Sequence, residues 1–77
     1  MQSRIVLISD DSDFFEYIFP KLELRKNDEL FRFKFDELPD KLHMLETSVL
    51  IINSEKSESR TIELLQILKD TPAVIFG

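Results

Sequence analysis

Three short runs constrain this chain most: Ile5-Val6-Leu7-Ile8, Val49-Leu50-Ile51-Ile52 and Ala73-Val74-Ile75-Phe76. Each is continuously apolar and rich in β-branched residues. A strand with one wet face alternates apolar and polar residues, whereas a continuous run needs cover on both faces. Parallel sheets sandwiched by helices supply that cover. Segments with helical spacing separate the runs, so strand and helix alternate and βαβ units are expected. A fourth strand candidate, residues 30–36, reads differently. Phe31, Phe33 and Phe35 alternate with Arg32 and Lys34, as expected of a strand at the rim of a sheet, where charges discourage further pairing.

The intervening helices can be placed roughly. The first starts near Ser12 or Asp13, either of which can cap it, and Asp13 with Glu16 has capping-box spacing. Phe14, Ile18 and Leu22 share one face, with Phe15 and Phe19 beside them. Pro20 removes a hydrogen bond and clashes with the preceding turn, so a kink or break is expected there, with a short turn on to Leu24. A second helix is expected over residues 39–45, with Pro39 in its first turn and Leu38, Leu42 and Leu45 inward. A third is expected over 59–69, with Ile62, Leu65 and Leu68 inward and Leu64 and Ile67 widening the stripe. The order is βαβαβαβ, with right-handed crossovers.

Seventy-seven residues make a single domain, 1–77, of a size that is only marginally stable alone. There is no Cys, hence no disulfide framework or thiolate metal site. The single Gly is Gly77, which excludes glycine-rich phosphate loops. Formal net charge is −5 and the pI about 4.7, so the segment is not expected to bind nucleic acid. No apolar run reaches the ~18 residues of a membrane span. The first residues lack the basic and apolar regions of a signal peptide, and a cytoplasmic protein is expected.

The residues that could carry chemistry lie at the strand tips. The first strand runs into Ser9-Asp10-Asp11 and the third into Asn53. Asp10 and Asp11 are either hard oxygen ligands of the kind Mg²⁺ prefers or loop acids that favour a helix N-terminus. Asn53 is either a phosphoacceptor position disabled by its amide, which cannot form an acyl phosphate, or a turn residue at a strand end. His43 is the one histidine and has no partner for a metal site. Ser9, Ser12 and Ser54 lack an identifiable base. The seven Phe residues are spaced for a core rather than a stacking surface. Tyr17 is either a partner contact or a half-buried amphipathic residue.

These tips resemble those of two-component receiver domains. In that family the first strand ends in acids, the third in the phosphate-accepting aspartate and the fourth in Thr or Ser. By this resemblance Ser9 and Asp10, followed by Asp11, match the acidic pair. Asn53 matches the acceptor, and Gly77 the Thr/Ser. The family's Met-Pro turn is replaced by Ser54-Glu55-Lys56-Ser57. Its fifth strand and invariant lysine would follow Gly77.

Such departures are similar to the N-terminal domains of NtrC-type σ54-dependent activators, above all flagellar regulators of the FleQ type. The most suggestive local match is Glu63-Leu64-Leu65 through Pro72-Ala73-Val74-Ile75-Phe76-Gly77. The resemblance implies a three-layer, doubly wound, flavodoxin/receiver-like parallel sheet of order 2-1-3-4 without the last third of the fold. It implies the N-terminal part of a longer regulator, with an ATPase and DNA-binding output domain. The site Ser9, Asp10, Asp11, Asn53 and Gly77 is then a vestigial phosphoacceptor pocket.

The expected function is a non-enzymatic regulatory and dimerisation module that signals by protein contact. No cofactor is expected; Mg²⁺ on Asp10 and Asp11 is the weaker alternative. A homodimer is expected through the exposed fourth strand or the uncovered sheet face. The competing expectations are a working phosphoreceiver using Asp10 or Asp11, and a free-standing α/β ligand-binding domain or enzyme.

Overall fold

The computed structural model describes residues 4–77. Four parallel strands, β1 (Arg4–Ile8), β2 (Glu29–Phe33), β3 (Val49–Asn53) and β4 (Ala73–Phe76), form one sheet in the order β2-β1-β3-β4. The helices α1 (Ser12–Ile18), α2 (Leu42–Leu45) and α3 (Glu58–Ile67) lie between them in sequence, joined by 3-10 segments at Phe19–Lys21 and Phe35–Asp40. The fold class is α/β with an all-parallel sheet.

The continuous apolar runs are explained by two cores, one on each face. Leu7 and Ile51 pack with Phe14 and Ile18 of α1. Val6, Ile8, Leu50 and Ile52 pack instead with Phe35, Leu38, Leu45, Leu64 and Leu68. Successive residues of β1 and β3 point to opposite faces, and Val6, Leu7, Ile8, Leu50 and Ile52 are all completely buried. Each fully buried side chain of this kind contributes roughly 1.5–3 kcal/mol. The register Ile5↔Val49 to Ile8↔Ile52 aligns the two central strands, which brings their tips, Ser9 and Asn53, together at the C-terminal edge.

Three local expectations need correction. Asp11, rather than Ser12 or Asp13, is the N-cap of α1, and its carboxylate accepts from the Asp13 amide. Pro20 does end the helix: α1 stops at Ile18 and the chain continues as a 3-10 turn. The break turns Phe19 outward, 52% exposed, rather than beside Phe15. The expected helix over 39–45 is divided. Pro39 lies inside the 3-10 segment Phe35–Asp40, and only Leu42–Leu45 is α-helical. Phe35 and Leu38 are buried nonetheless.

The third helix is rotated from its expected face. Thr61, Leu64 and Leu68 are buried, whereas Ile62 and Ile67 are 56% and 60% exposed. Thr61 can occupy the inner face because its hydroxyl donates to the Ser57 carbonyl at 2.9 Å, leaving no polar atom unpaired. Arg60 lies on the outer side of the same helix, reaching Asp36 Oδ1 at 2.8 Å and Asp10 Oδ2 at 3.6 Å.

A divided strand-tip site

The strand tips hold a compact polar knot. Ser9 is completely buried and Asn53 nearly so. The Asn53 side-chain amide donates to Ser9 Oγ at 3.0 Å, and Asn53 Oδ1 accepts from the Glu55 backbone N–H at 3.2 Å. Ser9 Oγ also accepts from the Asp11 N–H and donates to the Asp11 carbonyl, both at 3.0 Å. Every member of this knot is satisfied, which is what a buried polar cluster requires. Asn53 suits the position chemically, since a single amide both donates and accepts there.

Asp10 belongs to the other face. Its Oδ1 accepts from the Phe35 N–H at 3.1 Å and its Oδ2 from the Ser57 hydroxyl at 3.2 Å. Arg60 adds an ion pair. One carboxylate therefore ties the end of β1 to the start of the 3-10 segment and to the start of α3. Asp10 lines a cleft with Asp36, Lys56, Ser57, Glu58, Ser59 and Arg60.

Asp11, Asn53 and Gly77 line a different cleft of about 270 Å³, together with Asp13, Phe14, Tyr17, Glu55 and Phe76. The five residues singled out by sequence are thus not one pocket. Asp11, Asn53 and Gly77 share a cleft, Ser9 is the buried link beneath it, and Asp10 faces the opposite cleft. The division follows from strand alternation: consecutive tip residues cannot both turn to one side.

This geometry does not suit a Mg²⁺ ion held jointly by Asp10 and Asp11. Both Asp10 oxygens are engaged by Phe35, Ser57 and Arg60. Turning that carboxylate toward Asp11 would orphan the Phe35 N–H. Among the described residues, no group of three or more His, Cys, Asp or Glu side chains is placed to hold a metal ion.

Gly77 has φ +146°, in the region that favours glycine. A Cβ at this position would run into Ser54 Oγ and lie 3.0 Å from the Glu55 nitrogen. The Ser54 hydroxyl is held in place by donation to the Phe76 carbonyl at 2.9 Å. Ser54 therefore fills the space that a side chain at position 77 would need. The turn that follows Ser54 closes by a Ser57 N–H to Ser54 C=O bond of 2.8 Å, with Lys56 at a positive φ of 65°.

Ser57 and Arg60 escaped the sequence reading. Their importance lies in contacts 47 residues away for Ser57, and nothing in local spacing marks them. His43 is exposed. Comparison with models of protein families, with curated proteins and with solved structures gave no match.

Proposed function

We propose that this chain is a receiver-like regulatory module, built on a flavodoxin-like doubly wound scaffold, that works through protein contacts and not through phosphate chemistry. One observation carries the reading: the tip of β3, where an open α/β sheet presents its reactive groups, holds an amide locked between Ser9 and the Glu55 N–H. An amide supplies no attacking oxygen for an acyl phosphate. The strand order and the helical cover on both faces support the receiver comparison. That comparison is a likeness of architecture, and the functional step from it is ours.

In this reading the protein is non-enzymatic and cytoplasmic, and it restrains or positions an output domain of a transcriptional regulator of the σ54-activator type. No helix among the described residues is long and apolar enough to cross a membrane.

The test is incubation with acetyl phosphate and Mg²⁺, followed by intact-mass measurement. No mass gain is expected. A gain of one phosphate, abolished by Asp10→Asn or Asp11→Asn, would overturn the proposal in favour of a working phosphoreceiver.

A further inference from the structure

β2 forms the border of the sheet opposite β4 and pairs only with β1. In the scaffold proposed above, elements that follow β4 extend the sheet beside β4, so the β2 border lies on the far side from them. The Phe33 carbonyl accepts the Ser9 N–H at 3.1 Å, which turns the backbone groups of Phe33, and by alternation those of Phe31, toward β1. The N–H and C=O of Leu30 and Arg32 therefore point outward, where no strand of the described residues meets them. Leu30 and Arg32 carry their side chains on the α1 side, level with Ile5 and Leu7, and Phe31 and Phe33 on the other, level with Val6 and Ile8. The two rings stack, with centroids 6.3 Å apart. Leu30, Phe31 and Phe33 each remain partly exposed.

Charge is segregated along this border. Asp28 and Glu29 stand at the start of the strand, Arg32 and Lys34 at its end. Asp28 Oδ2 accepts the Arg25 N–H at 2.8 Å, while its Oδ1 has no hydrogen-bond partner. Arg32 and Lys34 are exposed. Charges on an edge strand resist indiscriminate pairing. A strand that is acidic at one end and basic at the other nevertheless matches its own reverse.

We propose that the β2 edge is a homodimer surface: a second copy of the chain adds its own β2 antiparallel, across a two-fold axis at Phe31, and the two sheets join into one. The proposal rests on the contact-module reading and names a partner for it. In this register Leu30 faces the second copy's Arg32. These are the residues with outward N–H and C=O groups, so they form the hydrogen-bonded pairs. Phe31 faces its own counterpart at a non-hydrogen-bonded position, where side chains come closest, and the stacked rings continue across the axis. Asp28 faces the second copy's Lys34 at both ends. Sliding the pairing by two residues sets Arg32 against Arg32 in one direction and Lys26 against Lys34 in the other, and like charges directly opposite destabilise. A slide of one residue reverses the face each side chain takes. Charge and pleat thus select a single register. Residues 21–34 hold five Lys or Arg and three Asp or Glu, so the acidity behind the net charge of −5 lies away from the contact.

An interface of one strand pair is small, so the 77-residue chain should dimerise with a Kd of about 0.1 mM. Sedimentation velocity from about 10 µM to about 1 mM spans that range. Lys34→Glu and Asp28→Lys each set like charges opposite at both ends, and each should weaken self-association at least about tenfold. An equimolar mixture of the two variants restores opposite charges at both ends and should associate as the parent chain does. Arg32→Pro removes an outward N–H that β1 does not use and should abolish the dimer, with circular dichroism confirming the fold. Should that variant fail to fold, the mixture decides the matter alone. A monomer at every concentration overturns the proposal. So does a dimer indifferent to Arg32→Pro and to the charge reversals, or a mixture that stays monomeric. These outcomes leave the acetyl phosphate result untouched, so failure here is distinguishable from failure of the contact-module reading.

Discussion

Asp10→Ala offers the sharpest test of how the strand tips are organised. In the structure this carboxylate accepts the Phe35 N–H at 3.1 Å and the Ser57 hydroxyl at 3.2 Å, and it meets Arg60 at 3.6 Å. Hydrogen bonds to a charged group contribute roughly 1.5–3 kcal/mol. The Asp10 side chain is 40% exposed, so solvent screening argues for the lower end. The Arg60 pair, exposed on both sides, adds about 0–1 kcal/mol. Removing the carboxylate also leaves the part-buried Phe35 N–H without an acceptor. The expected loss is about 2 kcal/mol.

That loss is large here. A chain of 77 residues has a total stability of roughly 4–12 kcal/mol. In a domain of this size about 1 kcal/mol shifts Tm by 4–8 °C, so Asp10→Ala should lower Tm by about 8–16 °C. Asp10→Asn keeps an acceptor for Phe35 and loses the charge; it should cost less than half as much. Thermal and urea unfolding followed by circular dichroism measure both. An acid placed only to bind an ion would behave oppositely. Removing it from the neighbourhood of Asp11 and Asp36 would relieve repulsion and leave Tm unchanged or raised. A Tm for Asp10→Ala at or above that of the parent chain refutes the assignment of Asp10 as a structural tie.

Other substitutions probe neighbouring steps. Asp11→Ala removes the α1 cap and should cost about 0.5–2 kcal/mol, whereas Asp11→Asn, which keeps a capping acceptor, should cost a few tenths in urea titrations. Leu64→Ala should cost about 2–5 kcal/mol and Ile62→Ala within about 0.5 kcal/mol; the reverse ranking would mean that α3 faces the core as its apolar pattern alone suggests. Gly77→Ala should destabilise by about 1 kcal/mol through its positive φ and the contact with Ser54, and combining it with Ser54→Gly should restore part of the lost Tm.

What could be read in advance followed from periodicity. Continuous apolar runs announced β1 and β3 because burial on both faces leaves no polar position; the same pattern announced β4, although Val74 and Ile75 there are half-exposed. The alternation at Phe31 to Phe33 announced β2 as a rim strand, and Pro20 announced the end of α1. The rotation of α3 was not legible. Ile62, Leu64, Leu65, Ile67 and Leu68 spread over too wide an arc to select a face. In the structure Thr61 sits inward with its hydroxyl bonded to the Ser57 carbonyl, and Arg60 sits outward beside Asp10 and Asp36. Neither bond has a signature in local composition. The alternation did place Phe35 on the apolar face, but not its element: the strand expected over 30–36 ends at Phe33, and the buried Phe35 opens the 3-10 segment instead.

The division of the tip residues has a consequence for any chemistry at this end of the sheet. Ser9 and Asp10 are consecutive and so face opposite sides. A site on the α1 side can use Ser9, Asn53 and, past the strand end, Asp11; a site on the α3 side can use Asp10 with Ser57 and Arg60. Asn53 has committed its amide to Ser9, and Asp10 has committed both oxygens to the α3 side. Replacing Asn53 by Asp would therefore not suffice to assemble a phosphate-accepting pocket. The new carboxylate would have to displace the Ser9 hydroxyl from Asp11, and the acids sharing its cleft would be Asp11, Asp13 and Glu55, not Asp10. Converting this scaffold to phosphate chemistry would require Asp10 to be freed as well, at the cost of the tie that holds Phe35 and α3 in place. Loss of acceptor and gain of tie are thus mutually reinforcing.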